Sequence, residues 1–117
     1  MATLRNDSSI YEITGLGQTK VALSANNINL ILGNAFTSTV SGATTLMVSN
    51  VPSSNTLASF ILDLTNGGSS TVTWWSNLKW VSGTAPTLTA SGRDSLGFYT
   101  YDNGSTWTGV VIGKDIK

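Results

Sequence analysis

Hydrophobic positions in this chain alternate with polar ones in short runs, and turn residues cut the runs at close intervals. Lys20 to Ser24 places Val21 and Leu23 on one face, and Ile28, Leu30 and Leu32 repeat the period of two, with Ile31 making that run apolar on both faces. This is the spacing of β-strands, in which successive side chains point to opposite sides. Phe36–Val40 and Thr44–Ser49 flank Ser41-Gly42 and predict a β-hairpin, with Leu46 and Val48 on one face and Thr45 and Met47 on the other. Pro52 breaks the pattern and marks Asn50 to Asn55 as a loop. Phe60, Leu62 and Leu64 then alternate with Ile61 and Asp63, and Asn66-Gly67-Gly68 predicts a second hairpin onto Thr71–Trp75. Leu78–Val81 and Thr87–Ala90 are further short strands. Ser95–Tyr101 and Thr106–Ile112 form a third predicted hairpin across Asp102-Asn103-Gly104.

Roughly nine or ten strands at spacings of about 8 to 12 residues, with no helical period, predict an all-β fold. The expected architecture is a single-domain antiparallel β-sandwich of jelly-roll type. No repeat of solenoid or propeller length stands out. Residues 1–9 are polar and aperiodic and are expected to form an N-terminal arm; residues 10–117 are expected to form the sandwich domain, opening on the strand candidate Ile10-Tyr11-Glu12-Ile13.

Composition narrows the function. The chain has 117 residues, of which 40% are hydrophobic and 10% charged, with six residues of each sign and no net charge. Such a surface lacks the basic patch that nucleic acid or an anionic membrane requires, so neither is expected as a partner. Ser and Thr together number 33 and Gly 12, the composition of a strand-and-turn protein. No Cys is present, which removes disulfides and thiol chemistry. No apolar run reaches the roughly 20 residues of a membrane span, and Met1 to Arg5 is not followed by a signal-type apolar segment. Weak self-repulsion suits a protein that works inside a larger assembly.

The chemistry available is limited. With no His, Ser-His-Asp and Cys-His systems and His-based metal sites fall away. Asp63, Asp94, Asp102 and Glu12 are the carboxylates from which a glycosidase pair would be drawn. Asp94 and Asp102 stand beside turns, where an Asp caps backbone groups. No Asp-rich loop has calcium-site spacing. Gly15-Leu16-Gly17 is a fragment of a phosphate-loop pattern with no following helix, and reads as a turn. No enzymatic activity and no cofactor are expected.

Two sets of aromatics remain. Thr100-Tyr101-Asp102-Asn103-Gly104-Ser105-Thr106-Trp107 fits the Asp-box pattern. Asp102 is expected to accept turn N–H groups, Gly104 to take positive φ, Thr106 to close the turn, and Trp107 to pack beneath it. Sialidases carry several such boxes and a cluster of Arg; this chain has one box and only Arg5 and Arg93, so the hairpin is expected to be structural. Trp75, Tyr99 and Tyr101 fall on strand faces opposite Trp74 and Phe98. They are candidates for glycan or subunit contact, set against a second buried layer.

From about Ile28 onward the chain resembles a C-terminal β-module of tailed-phage tail-fibre and virion structural proteins, found in marine and cyanobacterial phages. The stretches that carry the likeness are Gly33-Asn34-Ala35-Phe36, Val48-Ser49-Asn50-Val51-Pro52, Phe60-Ile61-Leu62, Trp74, Lys79-Trp80, Gly83 to Thr89, Asp94, Phe98-Tyr99-Thr100 and the Asp102–Trp107 hairpin. The resemblance implies a non-enzymatic homotrimer, made in the host cytoplasm and placed in the virion. A fibre module ends a long shaft, whereas only about 27 residues precede the likeness here. That favours a capsid decoration (cement) protein binding the major capsid protein, with Arg5, Ile10, Tyr11 and Ile13 as the contact. The competing reading is a tail-fibre or tail-tip protein that binds a host-surface glycan.

Overall fold

A computed structural model describes residues 17–117. The candidate contacts Arg5, Ile10, Tyr11 and Ile13, and the expected arm boundary after residue 9, lie outside the described residues. Ten strands run in the order β1 (Lys20–Ala22), β2 (Asn27–Asn29), β3 (Ala35–Thr39), β4 (Thr44–Thr45), β5 (Met47–Ser49), β6 (Ala58–Thr65), β7 (Val72–Thr73), β8 (Leu78–Trp80), β9 (Arg93–Thr100) and β10 (Trp107–Ile116). Single 3₁₀ turns at Gly67–Ser69 and Val81–Gly83 are the only helical elements among the described residues. The all-β expectation holds.

The pairing differs from the expected antiparallel sandwich. A six-stranded sheet has the order β1-β3-β6-β9-β10-β8 and is mixed. β1, β3 and β6 run parallel to one another, as do β8 and β10. Only β6–β9 and β9–β10 are antiparallel. Opposite lies a second layer in which β2 pairs β5 in parallel and β4 pairs β7 in parallel. β4 and β5 are two halves of one extended stretch that changes partner at Leu46. The Thr44 and Leu46 N–H groups donate to Thr71 and Thr73, while Met47 N–H donates to Asn26 O.

The first half of the fold is therefore a short coil. The chain passes from β1 to β2, back to β3, across to β4–β5, back to β6 and across to β7, and each pass lies parallel to the one before. Parallel neighbours need a crossover, and here each crossover strand belongs to the opposite layer. Two of the predicted hairpins are absent for this reason: β3 and β4 face each other across the core instead of sharing a ladder, and so do β6 and β7. The steps of the coil are unequal (Lys20 to Ala35, then Ala35 to Ile61), which is why no repeat stands out in the sequence. The third predicted hairpin, β9–β10, forms. The interleaved parallel pairings also replace the Greek-key connections of a jelly roll.

Local chemistry explains the coil's corners. Asn26, Asn50, Asn55, Asn66, Asn77 and Asn103 all sit in the left-handed region at φ 58–68°. Asn tolerates that region better than other non-glycine residues, so these turns need no glycine at the left-handed position that Asn fills. Thr87–Ala90, read as a strand, is irregular: the Thr89 carbonyl accepts from Gly68 N–H and its own N–H is taken by the Asp94 carboxylate.

The core lies between the layers. Strictly alternating β6 turns Ala58, Phe60, Leu62 and Leu64 inward, and β9 turns in Asp94, Leu96, Phe98 and Thr100. Ile28 and Leu46 close it from the second layer, both fully buried. Phe60 is its hub, with ring centroids 5.8 Å from Phe36, 5.1 Å from Phe98 and 5.5 Å from Trp107. Each such buried side chain contributes about 1.5–3 kcal/mol. Gly109 admits the aromatic packing: a Cβ there would lie 2.9 Å from the Trp80 ring and 3.1 Å from that of Phe98. Gly109→Ala is expected to cost about 2 kcal/mol through overpacking, measurable by urea unfolding; an unchanged midpoint would show that Trp80 swings clear.

Candidate functional site: the Asp102 hairpin and the outer sheet face

The Asp102 turn is built from a short set of bonds. Thr106 N–H donates to Asp102 Oδ1 at 2.9 Å, and the buried Thr100 hydroxyl stands 2.8 Å from both Asp102 Oδ1 and the Thr106 carbonyl. One hydroxyl proton serves one of those acceptors at a time. The same oxygen accepts from Gly104 N–H at 3.2 Å. Asn103 and Gly104 take φ 59° and 82°. Trp107, 2% exposed, lies under the turn and against Phe60 and Trp75. Asn103 Nδ2 reaches across to the Val51 and Pro52 carbonyls, each at 2.9 Å, and ties the hairpin to the β5–β6 loop. The Thr106 N–H, then the Thr100 hydroxyl, hold the Asp102 carboxyl below its ordinary pKa.

Asp94 is fully buried and equally occupied. Its Oδ2 accepts from Thr89 N–H at 2.7 Å, and its Oδ1 from the Thr89 hydroxyl at 2.6 Å and Asp115 N–H at 2.9 Å. Burial alone would raise its pKa; the Thr89 bonds, the Asp115 bond and the charge of Lys114 outweigh burial and lower it. Asp63 accepts from Arg93 and from the Ser95 hydroxyl, both at 2.7 Å. Each of these three carboxylates is thus committed to neighbouring donors. Among the described residues no group of three or more His, Cys, Asp or Glu is placed to hold a metal.

The aromatic candidates separate. Tyr99 and Tyr101 lie on the outer face of the six-stranded sheet, 37% and 59% exposed, with centroids 5.7 Å apart and rings at 69°. Trp75 does not join them. It packs on the same Phe98 ring as Trp74, at 4.8 Å and 5.8 Å. Alternation fails there because β7 ends at Thr73, so Trp74 and Trp75 follow no strand period.

The outer face divides in two. One end is polar, with Thr37, Thr39, Thr65 and the Asp63–Arg93 pair. The other is an apolar shelf. Ile61 and Ile112 are 47% and 57% exposed, and a Cβ on Gly97 would meet Ile112 Cδ1 at 3.3 Å and Val110 Cγ2 at 3.4 Å, so both side chains lie over Gly97. Beside the shelf is a hollow of about 360 Å³ lined by Gln18, Asn34, Ser59, Ile61, Tyr99 and Val110. Sequence reasoning missed this surface. Its signals were Ile61, apolar on the polar side of β6, and the unbroken Val110-Val111-Ile112 run. No protein-family model, curated protein or solved structure matches this chain.

Proposed function

We propose that this chain is a non-enzymatic structural protein of a tailed-phage virion, a capsid decoration (cement) protein that binds the assembled shell and stabilises it. The observation that carries the reading is the shelf of Ile61, Val110, Ile112 and Tyr99 on a neutral, sparsely charged surface. Contiguous exposed apolar surface of this kind favours a protein partner. The resemblance to virion β-modules supports the same reading, with the major capsid protein as partner, a homotrimer as the bound form and Arg5, Ile10, Tyr11 and Ile13 as arm contacts. A protein that binds only the closed shell stabilises it by mass action.

Copy number in purified particles, measured by quantitative mass spectrometry against the major capsid protein, tests it. A simple fraction of the capsid count is expected. A few copies per particle would shift the assignment to a tail-tip glycan binder, and absence from particles would end the virion reading. Deleting residues 1–9 is expected to abolish shell binding while the circular dichroism of the domain is unchanged; retained binding would remove the arm from the contact.

A further inference from the structure

The hollow on the outer face begins where the described chain begins. Gln18, two residues before β1, lines it together with Asn34, Ser59, Ile61, Tyr99 and Val110. Strand pairing places Lys20, Ala35, Ile61, Gly97 and Val110 in one row, so the hollow crosses the sheet from the β1 margin to β10. Four strand intervals of about 4.8 Å separate β1 from β10, a span of about 19 Å. The exposed apolar side chains Ile61, Tyr99 and Ile112 stand along the far part of that path.

The sequence just upstream carries matching groups. Ile10-Tyr11-Glu12-Ile13 lies outside the described residues and ends five positions before Gln18. An extended chain advances about 3.3 Å per residue, so Ile13 can stand about 17 Å from Gln18 and Tyr11 about 23 Å. Those reaches coincide with the β9 and β10 end of the hollow. In an extended segment Tyr11 and Ile13 share one face and Glu12 takes the other. The two apolar groups can therefore meet the sheet while the carboxylate stays in water.

We propose that the shelf is the docking surface for Tyr11 and Ile13 of the same chain, laid across the outer face through side-chain contacts. The short tether decides between this occupant and a separate one. It holds the two residues at a local concentration on the order of millimolar, so contacts too weak to retain a free partner suffice. The Tyr11 ring beside Tyr99 adds an aromatic pair to the buried apolar area. The docking concerns the isolated chain and does not rest on the decoration reading. In a decoration protein it keeps Tyr11, Ile13 and the shelf covered in the free copy, and a shell that takes up the arm uncovers the shelf at the same moment.

Nuclear Overhauser spectra of the full chain, with labelled methyl groups, test this. The Ile61, Val110 and Ile112 methyls are expected to show cross-peaks to the Tyr11 ring and the Ile13 methyls, unchanged on dilution. Tyr11→Ser combined with Ile13→Ser removes both groups and leaves the described strands intact. The ring-current displacement of the shelf methyls is expected to vanish in that variant and to persist in Ile10→Ser, on the opposite face. No cross-peak from Tyr11 or Ile13 to the shelf would overturn the proposal. So would shelf methyl shifts that are identical in wild type and the double variant. Cross-peaks found only between labelled and unlabelled copies of a mixed sample would overturn it too, and would give the shelf to a neighbouring copy. Particle copy number plays no part in these outcomes, so failure here leaves the decoration reading standing.

Discussion

Trp107→Ala is expected to lower the free energy of unfolding by about 4 kcal/mol, the upper range for a large buried ring. The indole is 2% exposed, touches Phe60 and Trp75, and forms the floor on which the Thr100–Thr106 turn rests. Its backbone N–H also donates to Asn77 O at 2.8 Å and so starts the parallel pairing of β10 with β8. Truncation leaves a cavity between the two halves of the aromatic core, and the rigid β9–β10 ladder limits its collapse. For a chain of this size the melting temperature should fall by roughly 15 °C. Urea unfolding with an unchanged m-value measures the loss directly. Tyr101→Ala, at a 59% exposed position, is the control and should stay within about 0.5 kcal/mol. A loss below about 1 kcal/mol for Trp107→Ala would mean that the turn does not depend on its floor.

Asp94→Ala is expected to cost about 3 kcal/mol, because two backbone N–H groups and one hydroxyl lose an ionised acceptor in a buried site. Those donors belong to the β8–β9 connection and to the end of β10, so one carboxylate joins segments that make no ladder with each other. The sign of the pH dependence follows from its lowered pKa. The stabilisation is complete above the unfolded value of 3.8 and is lost as pH falls through the lower folded value. Wild-type stability should therefore decline on the acid side, and Asp94→Asn should flatten that decline while lowering stability at neutral pH. Parallel acid limbs for wild type and Asp94→Asn would assign the acid sensitivity to other groups.

Which residues face the core was legible from the sequence; which strands pair was not. The inward sets Phe60, Leu62, Leu64 and Leu96, Phe98 follow from a period of two that parallel and antiparallel strands share. The period therefore fixes faces and leaves partners open. Ser41-Gly42 and Asn66-Gly67-Gly68 mark genuine reversals, yet each turns the chain into the opposite layer instead of back along its own. The β9–β10 hairpin was readable because its turn carries its own bonding in Thr100, Asp102 and Thr106. Asp94 could be seen as a cap through nearby Thr89, but its hold on Asp115 is a long-range fact. The placement of Trp75 on the face opposite Trp74 and Phe98 carried a strand period two residues beyond the strand, and its ring in fact packs on Phe98 beside Trp74.

Among the described residues, the two outermost strands of the large sheet, β1 and β8, are three residues long, against eight for β6 and β9 and ten for β10. Unpaired backbone at a sheet margin is a template for runaway polymerisation, and margins this brief offer an incoming chain few free groups. Copies of the chain that meet at high concentration are therefore expected to touch through side chains and not through added strands.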